Sequence, residues 1–569
     1  MFAFESTLLS ALVSALMSVL PAVFLLVLSR QLWTFRWNIT RDKDCNLPLP
    51  EGSMGWPLVG ETFHWLFQGS SFHISRRERH GNVFKTHLLG KPVIRVTGAE
   101  NIRKILLGEH NLVCTQWPQS TRIILGPHTL VNSVGEHHKK KRKILAKVFC
   151  RGALETYLTR LQDVVKSEIA KWCSEAGSVD VYAAARALTF RIAVTVLLGL
   201  RLEEDHITYL SKIFDQLMNN LFSLPIDAPL SGLRKGIKAR EILQEAMAKI
   251  IQEKLEKKHT EEYCDAFDYM LSSAKENDYD MTLQELKETA VELVFAAHST
   301  TASASTSLIL QLLKHPEVVQ KARKELLTES LGGERHPTND SECTQTTCED
   351  GPSAPLSEVA PSSHEPEIDP EQCTYPGSSI NKSNGVSSGH TVENNHTSNI
   401  QVPCLTLEKL TQLRYLDCVV KEVLRFLPPV SGGYRTVLQT FELNGYQVPK
   451  GWSVMYSIRD THETAAAYQS PELFDPDRFN ADRDESKSGR FNYVPFGGGV
   501  RRCIGRELAV IVLKTLAIEL LGTAECRLAT DTYPRMQTVP IVHPVNGLHV
   551  HFTCRNVRGS DSHNHTNYI

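Results

Sequence analysis

FGGGVRRCIG, residues Phe496 to Gly505, sets four glycines, two arginines and one cysteine within ten positions near the end of the chain. A cysteine that only fills core space needs neither kind of neighbour. Glycine adds no packing, and nearby cations stabilise the thiolate rather than the thiol. The stretch therefore reads as a loop shaped to present an ionised sulfur to something else, with the glycines letting backbone approach that sulfur.

The chain around this loop has an ordinary composition. Its 569 residues are 41% hydrophobic and 22% charged, with a formal net charge of −2, which excludes any global attraction to nucleic acid or to strongly acidic partners. The length admits several ordinary domains or one large enzymatic domain with an insertion. Thirteen cysteines, from Cys45 to Cys554, are odd in number and form no C-x-x-C pair, so reduced thiols in a cytosol-facing protein are expected.

The N-terminus carries the clearest physical signal. LLSALVSALMSVLPAVFLLVLS, residues 8–29, runs 22 positions without a charge, enough to cross about 30 Å of hydrocarbon once as a helix. Glu5 precedes it and Arg30, Arg36, Arg41 and Lys43 follow, which distinguishes an anchor from a cleaved signal and leaves the C-terminal bulk in the cytoplasm. Residues 30–60 read as a basic, Pro-rich tether, with Pro48, Pro50 and Pro57 forbidding regular helix. NVFKTHLLGKPVIRVTGAEN alternates like two strands around a Gly-Lys-Pro turn, after which helical periodicity dominates to about Leu331. Residues 332–404 are rich in Ser, Thr, Pro, Asn and Glu and read as a disordered surface insertion. Its sequons at Asn381 and Asn395 would be glycosylated only in the lumen, which the expected topology denies them. Residues 556–569 read as a flexible tail.

Three further elements bear on chemistry. Thr282 to Glu285 forms a capping box opening a helix that runs to Lys314, where His315-Pro316 stops it; at 1.5 Å per residue that is about 48 Å. In its middle, AAHSTTASAST replaces bulky side chains by small and hydroxyl ones, which suits close helix packing or the approach of a planar ligand. A second helix, about 411–427, carries Glu422 and Arg425 at i, i+3; taken alone, such a pair is an ordinary solvated bridge. In GEHHKKKRKILAKVFC, a helix would put His138, Arg142, Leu145 and Phe149 on one face, with Lys139, Lys143 and Lys147 as a basic stripe beside it. The first face could hold an anionic group and the second an acidic partner, and an ordinary solvated charge run reads the same way.

Taken in order, these pieces resemble the cytochrome P450 haem-thiolate monooxygenases. Phe496, Gly499, Arg501, Cys503 and Gly505 fill F-x-x-G-x-R-x-C-x-G, Glu422 and Arg425 fill E-x-x-R, and PELFDPDRF supplies Arg478 between them. The resemblance implies a mainly α fold with minor β, a triangular α-rich prism with small sheets, behind a single N-terminal transmembrane helix. Its catalytic domain would span residues 61–555, interrupted by the insertion. It also implies haem b with Cys503 as axial thiolate, propionates paired with Arg501, Arg435, His138 and Arg142, and a buried ion network of Glu422, Arg425 and Arg478. Oxygen activation would fall to Thr300, with Ser299 standing where the family carries an acid and water relayed by Ser299 or Thr300 in its place; His298 is a possible donor or a packed histidine.

FKTHLLGKPVIRVTGAEN, SGGYRTVLQTFELNGYQVPKGWSVMYSIRDTHETA and QTVPIVHPVNGL look like the retinoic acid hydroxylase branch of that family. This implies oxidation of all-trans retinoic acid, mainly at C4 of the ring, in a cavity lined by Trp117, Phe222, Phe295, Val430 and Val539, with Arg95 as a candidate carboxylate partner or a surface strand arginine. It further implies O2, electrons from NADPH through NADPH-cytochrome P450 reductase docked partly on Lys139, Lys143 and Lys147, and an endoplasmic-reticulum membrane location. Three alternatives stay open: a monooxygenase of another lipophile such as a sterol or fatty acid, a haem-thiolate isomerase or dehydratase, and a retinoid-binding haem protein without turnover.

Overall fold

The structure, a computed structural model, describes residues 2–256, 265–329 and 402–555. The expected insertion, with its two sequons, and the expected tail lie outside these residues, save that the chain is already folded at 402. Val402 is buried in the main core, and the Pro403 carbonyl accepts from Gln162 Nε2 at 2.9 Å. The expected insertion, ending at Cys404, therefore takes in three residues, 402–404, that belong to the fold.

The first helix, Phe2–Ile39, does not stop where the apolar run stops. Residues 30–39 contain no Gly or Pro to break it, so the basic stretch assigned to the tether continues the helix, and the irregular tether begins only at Thr40. Its last turns dock on the body. Trp33 is buried and donates Nε1–H to the Met54 carbonyl at 3.1 Å, and Trp37 packs edge-on against Trp33 and Trp452 at 5.6 and 6.3 Å.

Five short strands form the larger sheet, in the order Val83–Leu88, Lys91–Val96, Ser453–Ser457, Gly432–Val437, Val113–Thr115. The neighbours pair antiparallel except Lys91–Val96 with Ser453–Ser457. The first hairpin turns at Leu89-Gly90, both at positive φ, one residue before the expected Gly-Lys-Pro turn; Lys91 and Pro92 already belong to the second strand. A three-stranded sheet and two two-stranded sheets accompany the helices that make up most of the body. Leu283–Lys314 runs through the core, opened by the reciprocal Thr282–Glu285 box at 3.2 Å in both directions and closed before Pro316, which starts the next helix.

The second expected helix is split. Leu407–Gln412 ends at Leu413, and Arg414–Phe426 begins afresh because the Glu325 carboxylate caps it from outside, accepting from Tyr415 N and Leu416 N at 2.6 and 2.9 Å. On this helix the Glu422–Arg425 pair is not the surface bridge its spacing alone suggests. Glu422, Arg425 and Arg478 are 0, 1 and 1% exposed. Glu422 accepts two bonds from Arg425, at 2.7 and 2.8 Å, one from Arg478 Nε at 3.2 Å and one from Asp475 N at 2.9 Å. Arg478 closes onto Glu485 at 2.9 Å and onto the carbonyls of Ser470 and Leu473. Removing the shared acid strands two buried guanidinium groups, so Glu422→Ala should lower stability by about 3–5 kcal/mol. Thermal and denaturant unfolding of the purified variant measures this, and a loss under about 1 kcal/mol would deny the network its structural role.

Candidate active site

The cysteine loop is held from its base. His462 is fully buried between two chain segments: a carbonyl, that of Arg425, faces Nδ1 at 3.1 Å, and an N–H, that of Val494, faces Nε2 at 3.0 Å. Those partners require the neutral Nδ1–H tautomer, and burial, the largest cause, holds its pKa down at about 3. Val494 then accepts from Gly497 N, and Cys503 N closes the loop on Phe496 O, both at 2.9 Å. Gly505 N–H donates to the Cys503 sulfur. The other glycines do different work from that expected. Gly497 and Gly499 sit at φ 70° and 61°, and a Cβ on Gly499 would lie 2.2 Å from the Leu106 carbonyl. Gly499 is therefore required by packing against the end of the Ala99–Leu107 helix, not by approach to sulfur.

Cys503 is solvent-accessible, yet burial is the leading influence on its thiol and raises its pKa, against the lowering effects of Gly505 N–H, Arg142, Arg502 and Arg506. Cys503 thus keeps an open side within a crowded setting. A second opening lies in the long central helix, whose side chains are otherwise mostly buried: Ala296 is exposed, and Phe295, Ala297 and Thr300 are partly so. Thr300 Oγ1 donates back to the Ala296 carbonyl at 2.7 Å. Ser299 does not share that opening. It is buried, with its hydroxyl 3.0 Å from His298 Nδ1. His298 packs edge-on against Phe190 and Phe214 at 6.3 and 5.0 Å, and burial, the main cause, depresses its pKa to about 3, which makes it a neutral core residue.

Four expected anion-binding groups converge on the other side of the loop. Arg435 Nε and Arg501 Nε each meet the Glu109 carboxylate at 2.7 Å, Arg501 Nη2 donates to Ser133 O at 2.6 Å, and Arg142 Nη2 donates to Arg502 O at 2.6 Å. His138 is buried with Nδ1 unpartnered, and its pKa falls to about 4 through burial first and then Arg501 and Arg142. It sits on the helix Gly135–Ala146, whose α register ends in a 3-10 turn at Lys147, so the basic stripe is shorter than expected. Lys139 pairs with Glu136 and Lys147 with Glu276, while Lys143 stays exposed.

Among the expected substrate contacts, Trp117 and Phe295 meet edge-on at 6.4 Å. Ser431 Oγ donates to Thr538 O at 2.8 Å, joining the turns that carry Val430 and Val539. Phe222 is half exposed just past the helix Glu204–Asn220. Arg95 is neither a surface arginine nor a free cation: it is buried and paired with Asp460 at 3.0 Å, so its charge is already met inside the fold.

Sequence reasoning missed Glu109, Glu288 and Glu292. Glu109 lies in an anonymous GEHN stretch with no spacing signal. The other two, with Glu285, were readable as acids at i, i+3 and i+7 of an otherwise apolar helix. Glu288 accepts from His128 N at 2.7 Å, and Glu292 from Leu130 N and Val131 N at 2.8 and 2.7 Å, so the central helix holds the loop that leads to Ser133.

An accessible thiol backed by an N–H, a helix stripped of bulk, three arginines and an unpartnered imidazole nitrogen fit a planar dianionic group whose metal takes a thiolate. Comparison with known proteins decides the matter. The Cytochrome P450 family model matches residues 50–342 and 390–549. The chain belongs to the cytochrome P450 family. It is 54% identical to human Cytochrome P450 26C1 over 555 residues, covering 97% of each chain, and 49% identical to Xenopus tropicalis Cytochrome P450 26B1 over 545 residues, covering 96% and 94%. Among solved structures it is similar to retinoic acid bound cyanobacterial CYP120A1, with a TM-score of 0.71 and 30% identity, covering 90% of this chain and all of that one. As a P450, the protein is a haem-thiolate monooxygenase that takes electrons from a redox partner.

The helix-to-loop clamp in this P450 carries a pH signature. Burial raises the Glu292 pKa to about 7, against the two backbone N–H donors and Lys141. The folded form then holds a proton that the unfolded chain releases above about pH 4.5, so this group's stabilisation declines as pH rises toward and through 7. Unfolding temperatures of wild type and Glu292→Gln, followed from pH 5 to 8, should shift relative to one another in the variant's favour. A pH-independent difference would mean that Glu292 is ionised throughout.

Proposed function

We propose that this P450 hydroxylates all-trans retinoic acid, mainly at C4 of the ring, with Cys503 as the axial thiolate of haem b. The observation that carries the substrate is the 30% identity, over 90% of the chain, to a P450 solved with retinoic acid bound, together with the resemblance of the strand and turn segments to the retinoic acid hydroxylase branch. When bound, the haem supplies activation of O2 with two electrons from NADPH. The chain supplies the surroundings. Gly505 N–H and the neighbouring arginines favour the thiolate against the burial that raises the thiol's pKa, and Arg142, Arg435, Arg501 and neutral His138 would hold the propionates. Trp117, Phe295, Val430, Val539 and Phe222 exclude water and orient an apolar polyene ring. Thr300 Oγ1 lies at the open part of the central helix, its proton given to the Ala296 carbonyl and its oxygen offered as an acceptor, and His298 is packed and neutral.

NADPH-cytochrome P450 reductase is the proposed electron donor. Lys143 and the outward ends of Lys139 and Lys147 are its docking cations, although pairing with Glu136 and Glu276 weakens the last two. The helix Phe2–Ile39 supports a single-pass anchor in the endoplasmic-reticulum membrane with the body in the cytoplasm; residues 19–39 alone are long and apolar enough to cross a bilayer.

Reconstitution with reductase, NADPH and all-trans retinoic acid should give hydroxylated product that depends on NADPH and O2. Tight binding without turnover would favour a retinoid-binding haem protein, and turnover of sterols or fatty acids alone would move the substrate. Cys503→Ala should abolish the reduced carbon-monoxide Soret band of a thiolate haem, and an unchanged band would refute the ligand assignment.

A further inference from the structure

Glu109 has no place in the motifs that identify this family, yet it sits where three distant parts of the chain meet. It lies between the helix Ala99–Leu107 and the strand Val113–Thr115, its side chain 1% exposed. Oε1 accepts from Arg501 Nε in the cysteine loop at 2.7 Å and from Thr115 N at 2.9 Å, and Oε2 accepts from Arg435 Nε in the sheet at 2.7 Å. The same segment contributes the Leu106 carbonyl that Gly499 packs against, so Glu109 and the cysteine loop share one boundary. His110 and Cys114 lie close enough to Glu109 for all three to be read as a cation site, within 4.8 Å of one another. Two guanidinium groups on the one carboxylate argue against that reading, since a metal ion would have to displace or face both.

The geometry of the two contacts is informative. Each arginine meets Glu109 through Nε, the inner atom of the guanidinium, so the carboxylate closes the two-pronged Nη end of neither. Each also spends one Nη on a carbonyl, Arg435 Nη1 on Tyr434 O at 2.8 Å and Arg501 Nη2 on Ser133 O at 2.6 Å, so plane and direction are set by two contacts and only part of the fork stays open to an anion. Charge points the same way. Arg142, Arg435 and Arg501 carry three positive charges, Glu109 one negative, and His138 is neutral; two propionates bring the sum to zero. Without the acid, a buried site would keep one uncompensated cation and two guanidinium groups converging with nothing between them.

We propose that Glu109 is a positioning residue for the haem: it orients Arg435 and Arg501 toward the propionates and cancels the one positive charge that the propionates leave over. This rests on the reading of Arg435 and Arg501 as propionate partners.

The test uses the full-length holoprotein and three readouts other than turnover: the rate of haem transfer to apomyoglobin, the ferric/ferrous midpoint potential, and the reduced carbon-monoxide spectrum. Glu109→Gln removes the charge at nearly constant shape. It should speed haem loss at least about tenfold and raise the midpoint potential, because a negative charge near the iron is gone, while the thiolate Soret band keeps its position. Glu109→Asp keeps the charge and shortens the reach; it should speed haem loss while holding the potential near wild type, and it provides the reading if the Gln variant does not accumulate as folded protein. Arg435→Ala and Arg501→Ala are the controls. If they speed haem loss and neither Glu109 variant does, the positioning role is overturned and the propionate assignment stands. A faster loss in Glu109→Gln that only tracks a lower unfolding temperature, with the potential unmoved, also overturns it, since that is what loss of a purely structural contact would do. If the arginine controls leave haem loss unchanged, the propionate assignment fails and the proposal falls with it.

Discussion

Glu422, Arg425 and Arg478 carry three charges into a region with no measurable access to water, and that is possible only because each is answered there. A lone carboxylate or guanidinium at such a site would cost several kcal/mol, so the cluster is all-or-nothing: its members must be brought together or the surrounding chain cannot pack. Its reach extends beyond its own helix. Arg425 offers its carbonyl to His462, His462 receives the N–H of Val494, and Val494 holds Gly497 at the mouth of the cysteine loop. The ion cluster and the cysteine loop are thus two ends of one hydrogen-bonded path, which ties the position of Cys503 to a charge arrangement on another helix.

A second principle runs through the site: its histidines are kept uncharged. His138, His298 and His462 all have depressed pKa values with burial as the first cause, and the geometry gives each a reason to stay neutral. His462 needs one donor and one acceptor nitrogen at once. His298 sits between aromatic rings. His138 lies among arginines that leave no room for another positive charge. Positive charge beside the cysteine loop comes from arginines, which keep their protons across the ordinary pH range.

Much of this was legible in the residues, and the pattern of success has a physical basis. The cysteine loop, the capped central helix and the E-x-x-R pair are set by local rules, spacing and capping, and local rules are written in contiguous sequence. What stayed hidden depends on partners far along the chain. The E-x-x-R pair looks the same on a surface and in a core, and only Arg478, Asp475 and the packing around them bury it. Gly499 looked like approach to sulfur and turned out to answer the Leu106 carbonyl. His298 and Ser299 are chain neighbours, but only packing with Phe190 and Phe214 makes His298 a core residue, and Arg95 meets Asp460 only through the fold. The helix ran past its apolar segment because absence of a breaker, rather than presence of hydrophobicity, decides where a helix ends. Glu109 carried no signal at all, since a single acid acquires meaning only from the two arginines that fold onto it.

The long N-terminal helix has a mechanical consequence. Thirty-eight residues in one helix span about 57 Å with Pro21 inside it, and the stretch after Pro21 makes a rod whose final turns are clamped by Trp33 on the Met54 carbonyl and by Trp37 against Trp452. A body joined to its membrane segment by a loose leash would tumble above the lipid; one joined through a clamped rod follows the rod's inclination. Once the apolar length sits in a bilayer, a change in lipid thickness that tilts the helix must swing the whole catalytic body through the same angle, so that the lipid composition of the compartment becomes a setting for which face of the enzyme meets the membrane.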